Sequence, residues 1–90
     1  MSEPRTNRRI RVNWPEGARS DLRAIDRQTA LEILHCIDRY LESRHGDVKH
    51  LKPPLSGFRM RCGDYRIFFD APGTDEITIT AIRHRSQAYR

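Results

Sequence analysis

The spacing of apolar residues switches along the chain from two to a helical period and back to two, and each stretch predicts its own kind of element. Arg8-Arg9-Ile10-Arg11-Val12-Asn13-Trp14 alternates charged or polar with apolar residues, the mark of a strand. Pro15 stops that strand and suits the first turn of a helix, where its missing N–H has no intrahelical partner to lose. Ala18, Leu22 and Ile25 then fall at i, i+4 and i+7, a short helix with one apolar stripe. A longer helix follows: Ala30, Ile33, Leu34, Ile37 and Leu41 share a stripe, with Glu32, Asp38, Arg39 and Glu42 on the other side. Gly46 is its expected stop. Pro53-Pro54 marks an extended connection that cannot be helix.

After Gly57 the period returns to two. Phe58, Met60 and Cys62 alternate with Arg59 and Arg61; Gly63-Asp64 supplies a two-residue turn; Tyr65 to Asp70 forms the return strand. Ala71 to Asp75 reads as a turn cluster, and Glu76 to Ile82 as a last strand. The predicted architecture is α+β: an N-terminal strand, a helical hairpin, then a three-stranded antiparallel meander, giving a mainly antiparallel sheet with two helices on one face. Residues 1–90 read as one domain, with Met1 to Asn7 a loose tail. Trp14 and Tyr40 read as core or core-edge residues.

Composition narrows the partners. Mean hydropathy is low at −0.79, but the apolar residues are clustered, so the chain can still bury a core. Seventeen Lys and Arg against 12 Asp and Glu leave a net charge of +5, and most of the cations are arginines. That balance favours a polyanionic partner, and arginine grips phosphate through two parallel hydrogen bonds. Cys36 and Cys62 form no CxxC or zinc-type spacing and read as two small buried thiols in a reducing compartment. No apolar run approaches the ~20 residues of a membrane span, and the N-terminus lacks an apolar signal region. The expected location is the cytoplasm, with no membrane partner.

The hairpin carries the chemistry. With Gly63-Asp64 as the turn, Cys62 lies opposite Tyr65, Arg61 opposite Arg66, Met60 opposite Ile67, Arg59 opposite Phe68 and Phe58 opposite Phe69. Phe58, Met60, Cys62, Tyr65, Ile67 and Phe69 then share one face, and Arg59, Arg61, Arg66 and Phe68 the other. Directly opposed like charges cost on the order of 1 kcal/mol in water and more when buried. Two readings stand open: long side chains splayed into solvent, or an anion site.

Arg83, His84, Arg85 and Tyr89 follow the last strand. Arginines hold phosphate, histidine exchanges protons near neutrality, and tyrosine stacks on a base or exchanges a proton. This set suits metal-free RNA cleavage, in which a base takes the 2′-OH proton and an acid protonates the leaving 5′ oxygen. No acidic cluster of the kind that holds Mg²⁺ occurs, so no metal or other cofactor is expected. The plain alternatives are that His84 is a surface histidine at a strand end and Tyr89 an aromatic packing on the core. Lys49 and Lys52, on the loop before the hairpin, are either solvated lysines or an electrostatic rim for a polyanion. His35, His45 and His50 read as surface or helix-end residues.

Four stretches carry a family pattern: Val12-x-Trp14 with Ala18-x-x-Asp21-Leu22; Gly46-Asp47-Val48-Lys49-x-Leu51; Gly57-Phe58-Arg59-Met60-Arg61 with Gly63-Asp64-Tyr65-Arg66-Ile67; and Ile82-Arg83-His84-Arg85-x-x-x-Tyr89. Together they resemble the RelE/ParE superfamily of bacterial type II toxins, and within it the RelE branch of mRNA interferases. The resemblance implies a ribosome-dependent endoribonuclease that cuts mRNA in the ribosomal A site without metal, leaving a cyclic phosphate and a 5′-hydroxyl. It also implies a cognate antitoxin, with a segment that wraps the toxin, and contact with the ribosome and its 16S rRNA. By position, Arg66 and Arg83 resemble the phosphate and transition-state arginines, and Tyr89 the tyrosine that stacks on or activates the substrate nucleotide. Arg59 and Arg61 stand where family members often carry lysines; arginine stays protonated, so these two and Arg85 take electrostatic roles and proton transfer falls to His84 or Tyr89. Arg8, Arg9 and Arg11 are either further rRNA contacts or a solvated strand face. The alternatives are a ParE-like toxin acting on DNA gyrase without cutting RNA, and a non-enzymatic basic module.

Overall fold

Period-two and helical segments each become one layer of the computed structural model, which describes residues 10–88. In chain order the elements are β1 (Arg11–Asn13), α1 (Glu16–Arg23), α2 (Arg27–Ser43), β2 (Asp47–His50), β3 (Phe58–Cys62), β4 (Tyr65–Gly73), β5 (Glu76–His84) and α3 (Arg85–Ala88). The expected tail, Met1 to Asn7, lies outside the described residues, as does Tyr89.

The sheet has the order β1-β5-β4-β3-β2. β1 runs parallel to β5, and the other neighbours are antiparallel. Ala18 of α1 and Ile33 and Ile37 of α2 join Met60, Ile67, Phe69, Ile77, Ile79 and Ile82 in one buried cluster, so both helices cover the same sheet face. Each large aliphatic side chain so removed from water contributes roughly 1.5–3 kcal/mol. Trp14 and Tyr40 are half-buried against that cluster, at the core edge as expected.

The hairpin register is the predicted one, from Cys62 opposite Tyr65 to Phe58 opposite Phe69. Gly63 sits at φ +60° and Asp64 has no positive φ, the pattern of a type II′ turn with glycine first. Gly57, at φ +85°, is fixed by crowding as well: a Cβ there would stand 2.5 Å from Asp70 Oδ1 and 2.7 Å from the Phe69 carbonyl. Helix α2 starts where Asp26 accepts the Thr29 N–H at 3.1 Å, satisfying a donor that the first turn leaves open. The hydrogen bonds from Thr29 hold the Asp26 carboxyl below its ordinary value.

Several expectations need correction. Asp47–His50 is a strand, β2, so Lys49 belongs to the sheet and not to a loop. With Val48 its only part-buried member, this edge strand carries no period-two signal. Among the described residues the first strand spans Arg11–Asn13, without Ile10 and Trp14, while Arg8 and Arg9 lie outside them. Within the expected turn cluster, residues 71–73 continue β4, with a register slip between Asp70 and Gly73, and only 74–75 form the turn. Pro72 sits in that slip, where the ladder asks for no N–H. The stop of α2 is Arg44 at φ +60° and not Gly46; the Arg44 N–H donates to the Tyr40 carbonyl at 2.7 Å, and its guanidinium reaches the Leu41 carbonyl at 3.1 Å. The tail after β5 is partly helical, as α3. Finally, Cys36 and Cys62 are not free thiols. Their Cα atoms are 6.3 Å apart and their sulfurs are bonded, tying α2 to the end of β3.

Candidate functional site

The helix-free face of the sheet owes its contents to a single extra residue. Phe68 pairs with Ala81, but Phe69 pairs with Ile79, so Thr80 has no counterpart on β4. A bulge of this kind reverses the side-chain alternation beyond it. Before the bulge Ile77 and Ile79 face the core; after it the core residue is Ile82. Uninterrupted alternation would have turned Arg83 inward with Ala81. The step of three from Ile79 to Ile82, in place of two, is the signal in the sequence that marks the shift.

With that shift, Arg83 stands opposite Arg66, and Arg66 opposite Arg61. Three arginines therefore form a rank across β3, β4 and β5 on one face. A second rank beside it runs Lys49, Arg59, Phe68 and Ala81. Both ends of the arginine rank meet a carboxylate. Asp47 of β2 lies opposite Arg61, with Oδ2 3.4 Å from Nη1. Asp21 of α1 accepts from Arg83 Nη1 at 2.6 Å. These two acids offset the like-charge repulsion that directly opposed cations incur.

The members differ in exposure. The Arg61 side chain is 52% exposed and that of Arg83 45%. Arg66 retains only 4% of its surface, and its Nη1 donates to the Gly63 and Tyr65 carbonyls, both at 3.0 Å. Those bonds aim its guanidinium toward the hairpin turn and hold it there. Arg59 is half-buried in the second rank.

Of the remaining predicted residues, His84 lines a pocket with Arg83, Asp21 and Tyr65 at the end of β5, while Arg85 and Lys52 lie apart from the ranks. His84 pairs with Tyr65, whose neighbour Cys62 is bonded to α2, so by register His84 belongs to the helix-bearing face. The Tyr65 and His84 rings meet edge to face at 5.3 Å. Nδ1 of His84 accepts the Ser86 N–H at 3.2 Å and lies 3.0 Å from Ser86 Oγ, so this ring caps the start of α3. It is not brought together with Arg61 and Arg66, which correct alternation sends to the other side. Arg85 lies beside the hairpin turn: its N–H donates to the Asp64 carbonyl at 2.7 Å, and its guanidinium is 3.9 Å from the Asp64 carboxylate. Lys52 is exposed on the 51–57 loop, which the Leu51 N–H closes on the Gly57 carbonyl at 2.9 Å. Among the described residues no group of three or more His, Cys, Asp and Glu side chains could hold a metal ion, and no helix is long and apolar enough to cross a membrane. Asp21 and Asp47, both quoted in the family pattern, gain their place beside this face only through their contacts with Arg83 and Arg61.

Residues 12–89 match the family described as the ParE toxin of the type II toxin–antitoxin system, parDE. Among solved structures, the chain is similar to one in the RelBE2 toxin–antitoxin complex of Mycobacterium tuberculosis, at 23% identity and a TM-score of 0.71 over 86% of this chain and 99% of that one. It is also similar to chains of the RelB–RelE antitoxin–toxin complex of Methanococcus jannaschii (22% identity, TM-score 0.67, 86% and 94% covered) and of the archaeal RelE–RelB complex of Pyrococcus horikoshii (22%, 0.67, 88% and 98%). No curated protein is a match to the chain.

Proposed function

The chain belongs to the ParE toxin family of type II toxin–antitoxin systems, within the RelE/ParE superfamily, and from that premise we propose that it is an endoribonuclease that cuts ribosome-bound mRNA without a metal. One observation carries this reading: Arg61, Arg66 and Arg83 stand side by side across three strands. A backbone phosphate laid over that rank meets donors from several fixed points, and charge developing on a phosphorane is offset where it forms.

In the reaction, the 2′-oxygen gives its proton to a base and attacks the adjacent phosphorus. The bond to the 5′ oxygen breaks, and that oxygen takes up a proton, leaving a 2′,3′-cyclic phosphate and a 5′-hydroxyl. Arg66, held by its carbonyl contacts, is the fixed member and Arg61 the exposed one that meets substrate first. Arg59, Lys49 and Lys52 guide the strand electrostatically, while Arg85 contacts it near the hairpin turn. Proton transfer falls to His84, which lines a pocket with Arg83 and Asp21, or to Tyr89. The ribosome and its 16S rRNA position the message, the setting is the cytoplasm, and a cognate antitoxin holds the protein inactive.

A second reading has its own support: a gyrase inhibitor needs no acid–base group, and by register His84 lies on the side of the sheet opposite Arg61 and Arg66. The two separate cleanly. The purified protein is mixed with programmed ribosomes, mRNA 5′ ends are mapped, and the DNA-damage response is followed in cells that express it. Cuts that leave a 5′-hydroxyl and a 2′,3′-cyclic phosphate, slowed about 100-fold or more by Arg61→Ala, support the nuclease. Intact mRNA with an induced damage response overturns it in favour of gyrase.

A further inference from the structure

β1 pairs with β5 only from Glu76 to Thr78, so among the described residues the upper half of β5 has no strand on its outer edge. An open edge leaves backbone donors to be satisfied by other means. Asp21 of α1 does this for Ile82: its Oδ2 accepts the Ile82 N–H at 3.0 Å. The same oxygen accepts Arg83 Nη1 at 2.6 Å, and that nitrogen also donates to the Ile82 carbonyl at 3.0 Å. The Asp21 side chain is 27% exposed, so the pair is partly shielded from water. The carboxylate is therefore anchored to the backbone immediately before the arginine that it binds.

Resting on the nuclease reading, we propose that Asp21 is a positioning residue for Arg83. It holds the guanidinium at the end of the rank in the orientation in which it meets the phosphate as charge develops. Asp47, at the other end, has no such role. Its contact with Arg61 is 3.4 Å, and both side chains are more than half exposed, at 58% and 52%. A pair of that kind contributes little and yields readily to a phosphate. The two carboxylates thus differ in kind: one sets geometry, the other only screens charge.

The charge of Asp21 opposes a polyanion, so removing it strengthens ground-state attraction while losing orientation. Asp21→Asn keeps an oxygen for the Ile82 N–H and removes the charge. With mRNA on programmed ribosomes as the probe, this variant is expected to lower kcat about tenfold with KM unchanged or reduced. Asp47→Asn is expected to leave kcat within about twofold. In an Arg83→Ala background, Asp21→Asn should cost nothing further, because the residue acts through that arginine. A tenfold loss that persists in the Arg83→Ala background marks a general structural role and overturns the inference. So does wild-type kcat in Asp21→Asn. If Asp21→Asn does not fold, Asp21→Glu, which keeps the charge and displaces it, must show the same loss in kcat at unchanged KM; wild-type kcat there is equally contrary. Wild-type protein that cuts no mRNA defeats the nuclease reading itself, and this inference with it, whereas wild-type cleavage with an unaffected variant defeats the inference alone.

Discussion

The two faces of one sheet have opposite rules. On the helix-covered face Ile33, Met60, Ile67 and Ile79 are at most 1% exposed, and their contribution comes from apolar area removed from water. On the other face like charges are set directly against each other, an arrangement that stability alone would not favour. Its costs are met locally, by Asp21, by Asp47 and by the turn carbonyls around Arg66. A face held together against its own repulsion is one whose side chains are kept for something other than folding.

The difference can be tested by substitution. Ile67→Ala is expected to lower unfolding free energy by about 2–5 kcal/mol, through lost transfer energy and a cavity. Arg61→Ala is expected to change it by no more than about 0.5 kcal/mol, while cleavage falls steeply. Denaturant titration and cleavage assays on both variants should give this crossed pattern; an Arg61→Ala protein as unstable as Ile67→Ala would erase the distinction between faces. Next in size is the Cys36–Cys62 link, which joins positions 26 residues apart. Reduction, or Cys36→Ser with Cys62→Ser, should cost about 3 kcal/mol by restoring freedom to the unfolded chain. Because the link lies on the covered side, the salt dependence of RNA binding should not move with it.

The smallest effect concerns the cap of α2. The folded-state carboxyl of Asp26 lies below its ordinary 3.8, so its contribution is present above that value and is lost as pH falls through the folded one. The gap in Tm between wild type and Asp26→Ala should hold from neutrality down to about pH 5 and close in stronger acid. A gap independent of pH would mean that the helix start does not depend on this carboxylate.

Much of this organisation is written in the residue pattern. The hairpin register follows from Gly63-Asp64 alone, because a two-residue turn leaves one way to align the strands, and from it come both the core face and the pairing of Arg61 with Arg66. The helices are visible as stripes of aliphatic residues. What pattern does not carry is anything set by a single polar contact or by one residue out of step. Asp47–His50 is strand only because β3 offers it an edge. Asp21 stands in the quoted family pattern, but its contact with the Ile82 backbone shows only in the structure, where the short β1 leaves that backbone open. His84 follows Arg83 in sequence, and neighbours on a strand point to opposite faces, yet at the end of β5 both line one pocket. The disulfide depends on where a helix stripe meets a strand end, which no spacing between cysteines reports.

The extra residue at Thr80 gives the protein an unusual genetic vulnerability. Substituting an amino acid in the 79–82 stretch leaves the orientation of everything after it intact. Gain or loss of one codon there would trade inside for outside at the end of β5, sending a guanidinium toward the isoleucines and an imidazole toward the solvent. Every residue of the site would still be encoded, and the site would be gone.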